Sequence, residues 1–117
     1  MKSLRQTLDV LKPSIDFSIV IPVYRSEKTL EALCSQVSDV LTQANHSFEM
    51  ILVEDCGGDG SWGVIESMAQ KKPDQIKGIR LSKNSGQEAA VICGIRYASG
   101  ERIVTMDDDL QNPPKEI

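Results

Sequence analysis

The stretch MDDDLQNPP, Met106 to Pro114, sets three adjacent carboxylates, Asp107, Asp108 and Asp109, directly behind the apolar run Ile103 to Met106. Like charges this close repel, so the stretch calls for a positive partner or full solvation. In an extended strand end the side chains alternate, which puts Asp107 and Asp109 on one side and Asp108 on the other. Two carboxylates on one side, at most about 7 Å apart by strand rise, can share a divalent cation or divide their work between a cation and a ligand hydroxyl. Magnesium commonly takes one or two protein carboxylates and completes its octahedron with phosphates and waters. A solvated acidic turn is the plainer alternative for any isolated Asp-x-Asp.

Other stretches offer matching chemistry. In VEDCGGDGS, Glu54 and Asp55 are followed by glycines that allow close backbone approach. A carboxylate there can accept from a base N–H or a ribose hydroxyl; the alternative is an Asx turn with Asp59 or Ser61 capping a helix. In IPVYRSEKTL, Tyr24 can pack on a planar base and Glu27 can accept from it, or the two can be an edge aromatic and a first-turn Glu. SKNSGQE offers Lys83 and helix N-terminal amides to phosphates, or is a plain loop. His46, a lone histidine after Asn45, reads as a surface or C-cap residue.

These residues are positioned by a regular alternation of elements. FSIVIPVY (Phe17–Tyr24), EMILVED (Glu49–Asp55), IKGIRLS (Ile76–Ser82) and RIVTMDD read as strands. Between them, Leu30, Leu33, Val37, Val40 and Leu41 fall at helical spacing behind Ser26 as an N-cap. A short helix through Val64, Ile65 and Met68 stops before Pro73. A third runs through QEAAVICGIRYASG, with Ala89, Ala90, Ile92, Cys93 and Tyr97 expected inward and Gly100 as its stop. A β-α-β-α-β-α-β order with near-continuous apolar strands predicts an α/β fold with a parallel sheet. Ligands of such sheets bind outside the carboxyl ends of the strands, and all the candidate residues lie there.

Composition bounds the reading. The 117 residues suffice for one core. A net charge of −4 without clustered Lys and Arg argues against a nucleic-acid surface. Cys34, Cys56 and Cys93 show neither metal-site nor disulfide-framework spacing, which fits a reducing cytoplasm. MKSLRQTLDVLKPS has no signal-peptide core, and no apolar run approaches the ~20 residues of a spanning helix. The terminal NPPKEI has the form of a turn opening another helix, so a longer natural polypeptide is expected.

Taken in order, FSIVIPVYRSEKTLEAL, EMILVEDCGGDGSW, LSKNSGQEAAVICGI and GERIVTMDDDLQNPPKEI resemble the nucleotide-binding half of family 2 glycosyltransferases. Within these, the likeness is to the dolichyl-phosphate mannose synthase and bacterial polyisoprenyl-phosphate sugar transferase group, and D-x-D-L-Q-x-P-P is its most specific piece. The resemblance implies a GT-A fold, with 1–16 an N-terminal extension and 17–117 the nucleotide-sugar-binding part of a domain that continues. It implies inverting transfer from a UDP- or GDP-linked sugar, with Mg2+ or Mn2+, to a lipid-phosphate or saccharide acceptor. It assigns base and ribose contacts to Pro22, Tyr24, Glu27 and Asp55, ribose or diphosphate contact to Asp107, the metal to Asp109, and a place near the donor sugar to Gln111. The catalytic base, the acceptor site and any membrane attachment would lie downstream, so the chain alone is expected to bind nucleotide without turnover. Arg25–Ser26, Glu54, Cys56–Gly57, Ser85, Gln87 and the third charge of Asp108 depart from the usual pattern.

Two other classes are weighed against this. A phospho-accepting signalling domain needs an acidic pair after its first strand, where this chain has PVYRSE, and a Lys farther from the Asp cluster than Lys115. A non-catalytic nucleotide-binding module is compatible with the same rim and would bind without transfer. An open sheet edge also leads us to expect a homodimer.

Overall fold

Seven residues from Phe17 to Val23 form the first strand, β1, in the computed structural model, which describes residues 14–108. Helix α1 (Leu30–Gln43), β2 (Phe48–Glu54), α2 (Ser61–Lys71), β3 (Ile76–Arg80), α3 (Gln87–Arg96) and β4 (Arg102–Thr105) follow in the predicted alternation. All pairings are parallel and the sheet order is β3-β2-β1-β4. The chain therefore lays its first three strands outward in one direction and then returns to the other side of β1. Each strand stops one to three residues short of the predicted end, which frees the polar residues beyond for the rim.

Both faces of the two central strands are covered, which is why β1 and β2 read as near-continuous apolar runs. On one face Ile19, Ile21, Met50 and Leu52 meet Leu30, Leu33, Val37 and Leu41 of α1 and Ile65 of α2. On the other, Val20, Ile51 and Val53 meet Ala90 of α3. Each fully buried Ile or Leu contributes roughly 1.5–3 kcal/mol.

The α3 face corrects the sequence reading. Ala90 and Gly94 are its buried residues, Ala89 and Cys93 are half-buried, and Ile92 and Tyr97 are 55% and 62% exposed. Ala90 and Gly94, small and four residues apart, form the contact stripe because they let the helix backbone approach the sheet. A Cβ at Gly94 would run into Val20 Cγ1. Cys93 packs beside that stripe, while Ile92 and Tyr97 face away from it.

Two caps also differ from expectation. Thr29, not Ser26, holds the N-cap position of α1; Ser26 is buried and its carbonyl accepts from the amides of Thr29 (3.1 Å) and Leu30 (3.0 Å). Helix α3 ends at Arg96, while Gly100 lies where a Cβ would sit 2.6 Å from the Ser18 nitrogen. At the end of α1, Asn45 takes φ 60°, and the amides of Asn45 and His46 donate to Thr42 and Leu41 carbonyls at 3.1 and 3.0 Å. This is a Schellman closure. His46 also sets its ring edge-on to Phe17, with centroids 5.0 Å apart.

Candidate functional site

A cleft of about 460 Å³ opens at the carboxyl ends of β1 and β4 and is lined by Pro22, Val23, Tyr24, Asp55, Asn84, Gly86, Gln87, Asp107 and Asp108. Because β1 pairs with β2 on one side and β4 on the other, its end is where the chain's progress across the sheet reverses. Neighbouring connections leave in opposite directions there, opening a crevice that ligands of open α/β sheets occupy. A smaller cleft between α1 and α2, about 220 Å³, includes Glu31, Cys34, Met68 and Lys71. Its Cys34 thiol is pushed up to about 12 by burial, with Glu31 adding to the effect. That thiol is protonated at neutral pH and is no nucleophile.

Tyr24 is 44% exposed at the rim and has the Arg25 guanidinium over its ring at 5.2 Å. Arg25 adopts φ 53° and donates from Nε to the Gly57 carbonyl at 3.0 Å, tying this segment to the turn after β2. In that turn, Glu54 is buried and accepts from the amides of Cys56 and Gly57, both at 2.9 Å. Arg80 Nε stands 3.6 Å from the same carboxylate. Glu54 thus shapes the turn rather than facing the cleft.

Asp55 is buried and clamps the opposite loop. Its two oxygens accept from the amides of Ser85 at 2.7 Å and Gly86 at 2.9 Å, just where α3 begins. Gly86, at φ 94°, takes a conformation that L side chains rarely adopt. The Ser85 and Gly86 amides, just ahead of α3, are thus taken up by this carboxylate. Each Asp55 oxygen retains a second lone pair for a ligand donor.

Just beyond β4, which ends at Thr105, Asp107 and Asp108 take partners on opposite sides although neither lies in a strand. Asp107 accepts from Gln87 Nε2 of α3 at 3.0 Å. Asp108 turns to the segment between β1 and α1: its Oδ2 accepts from the Tyr24 amide at 2.9 Å and from the Ser26 hydroxyl. Asp109 and Gln111 lie outside the described residues. Among the described residues, no three His, Cys, Asp or Glu side chains converge as a metal-binding group.

Of the residues singled out by sequence, Pro22, Tyr24, Asp55 and Asp107 come together in the cleft, whereas Glu27 and Lys83 are exposed outside its lining. Glu27 sets its carboxylate against Gly60, ahead of α2. Asp59 makes the Asx turn foreseen as the plain reading, accepting from the Ser61 amide at 3.0 Å. Burial pushes its carboxyl up, but the Ser61 hydroxyl and amide and the Glu27 amide outweigh this and hold it below the usual range. Asp108, Gln87 and Asn84 also line the cleft, and none of them had an assigned role from sequence. Asp108 had a signal, its opposite facing; Asn84 had none, because its loop position depends on Asp55.

Comparison with known proteins adds identity to this geometry. The sequence profile of glycosyl transferase family 2 matches residues 18–117. An undecaprenyl-phosphate 4-deoxy-4-formamido-L-arabinose transferase of Aeromonas hydrophila subsp. hydrophila is 42% identical over 100 residues, 86% of this chain and 31% of its own. The protein of that name from Shewanella sediminis is 40% identical over 105 residues, 89% of this chain and 32% of its own. This chain spans about a third of the length of such relatives. Among solved structures, TarS of S. aureus in complex with UDP superposes with a TM-score of 0.65 at 26% identity, over 81% of this chain and 28% of its own. The mannosyltransferase PcManGT of Pyrobaculum calidifontis, in complex with GDP-Man and Mn2+, reaches 0.70 at 19% identity, over 90% of this chain and 33% of its own, which bears on fold alone.

Proposed function

The chain belongs to glycosyl transferase family 2 and has the Rossmann-like part of a GT-A fold, and from that premise we propose that its cleft binds the nucleotide-diphosphate sugar of an inverting polyisoprenyl-phosphate glycosyltransferase. One observation carries this reading: the cleft at the β1–β4 switch point gathers an exposed aromatic, Tyr24, with the carboxylates Asp55 and Asp107. Tyr24 stacks on the base beside Pro22, Asp55 accepts from base or ribose, and Asp107 accepts from ribose or faces the diphosphate. Glu27 and Lys83 contribute from outside the lining, to base and phosphate respectively, and Gln111 stands near the donor sugar. The UDP held by the staphylococcal neighbour supports a nucleotide in the corresponding place.

Hard carboxylate oxygens at a strand end suit Mg2+ or Mn2+, with Asp109 as the principal ligand and Asp107 beside it. Such a cation, when bound, would supply positive charge to stabilise the negative charge developing on the departing nucleoside diphosphate. The names of the bacterial relatives support a lipid-phosphate acceptor. A phosphate monoester has a second pKa near ~6 and is largely ionised at neutral pH, so a strong general base is less needed. With such an acceptor, the full-length enzyme would work in the cytoplasm at the inner face of a membrane. No helix among the described residues is long and apolar enough to cross one.

Calorimetric titration with UDP and with GDP, each with and without Mn2+, tests the site alongside Asp109→Asn. Manganese-dependent binding that the variant loses is expected, and the preferred nucleotide identifies the base. Absence of binding to both nucleotides by a chain shown to be folded would overturn the assignment.

A further inference from the structure

We infer that Asp108 is a positioning residue that ties Tyr24 to the strand end carrying the other aspartates, so that the base platform and the diphosphate end of the cleft behave as one body. The inference rests on the nucleotide-sugar reading above, and its bonds are those of the structure. Asp108 Oδ2 accepts from the Tyr24 amide at 2.9 Å and from the Ser26 hydroxyl, while its carbonyl accepts from Thr29 Oγ1 at 3.1 Å. All three donors belong to the segment joining β1 to α1. That segment is anchored in turn, because the Ser26 amide donates to Ser61 Oγ at the start of α2 at 2.8 Å.

The sequence distance shows what the contact achieves. Tyr24 and Asp108 are 84 residues apart, and they meet because β4 lies next to β1. Asp107, one residue earlier, bonds instead to Gln87 of α3. Neighbouring carboxylates thus fasten the β4 end to opposite walls of the cleft. For Asp108 to serve as a cation ligand through Oδ2, that oxygen would have to share or release the donors that fix Tyr24. The third negative charge of MDDD is accounted for as an acceptor of charge-assisted hydrogen bonds.

The test compares Asp108→Asn, which keeps a carbonyl acceptor, with Asp108→Ala, which leaves the Tyr24 amide and Ser26 hydroxyl without one. Nucleotide affinity is measured by calorimetry across a Mn2+ series, and exchange of the Tyr24 amide is followed by NMR without nucleotide. We expect Asp108→Ala to weaken nucleotide binding on the order of tenfold or more and Asp108→Asn about threefold or less, as loss and retention of a hydrogen bond would give. We also expect the Mn2+ concentration for half-maximal binding to stay put in both, and Tyr24 exchange to quicken in the Ala variant while the Ile51 amide stays protected. Two results overturn the inference: Asn as damaging as Ala with a raised Mn2+ requirement, which makes Asp108 a metal ligand, or Ala binding like the parent. If the parent binds no nucleotide, the site reading fails, and faster Tyr24 exchange would then leave a tether that positions nothing.

Discussion

Glu49 shows how much one residue of this chain depends on contacts remote in sequence. It is fully buried near the start of β2 and accepts from Lys77 Nζ at 2.6 Å, Ser18 Oγ at 2.6 Å and the amide and hydroxyl of Ser99 at 2.7 and 2.9 Å. Burial alone would push its carboxyl up, but Lys77 and the Ser18 and Ser99 donors outweigh it and draw the pKa down to about 2. A carboxylate whose pKa is depressed on folding stabilises the protein above its unfolded value, and that stability is lost as pH falls through the folded one. We expect unfolding stability to drop by up to about 3 kcal/mol between pH 4.5 and 2. Glu49→Gln should flatten this fall and cost about 1–3 kcal/mol at pH 7, since donors built for a charge keep a poorer acceptor. Urea denaturation across that pH range measures both.

At the scale of elements, the docking of α3 is the sharpest case. Of the positions that periodicity favours, Ala90 is buried and Cys93 packs beside it, but Ile92 and Tyr97 face out and Gly94 takes the contact, because distance of approach as well as hydropathy decides which face meets the sheet. Gly94→Ala gains up to about 1 kcal/mol of helix propensity yet drives a methyl into Val20, and overpacking of this kind costs about 1–3 kcal/mol. Net destabilisation is expected. Gly63 in α2 has open space at its Cβ position, so Gly63→Ala should stabilise by about 0.5–1 kcal/mol. Thermal melts of the two variants should move in opposite directions; parallel shifts would refute this account of α3.

For the molecule as a whole, the two sheet edges differ. The β3 edge carries Lys77 and Arg80, charges that discourage edge pairing. The β4 edge presents Ile103, 44% exposed. On register, Ile103 pairs with Ser18, so it lies on the face where α3 leaves Ile92 outward. This chain should therefore self-associate through β4, as the expected homodimer requires, and Ile103→Lys should weaken that association. Light scattering at micromolar concentration would count against the idea if the parent chain were monomeric.

By itself the sequence determined the order of the elements, the parallel sheet and the rim that carries the chemistry, because strand and helix periods and the apolar runs are local properties. It also led to the expectation that Asp108 faces away from Asp107, but the partners that part them follow from the loop beyond Thr105, where β4 ends. What only the tertiary structure decided was each rim residue's partner. Asp55 meets the Ser85 and Gly86 amides and Asp108 meets the Tyr24 amide, across 30, 31 and 84 residues. Glu27 and Lys83 satisfy the same motif-level reading as Tyr24 yet stay outside the cleft lining: Glu27 turns to Gly60, and Lys83 stands exposed on the loop that Asp55 clamps. Hydrogen-bond partners are set by which strands become neighbours, and here β4 inserts beside β1 rather than β3.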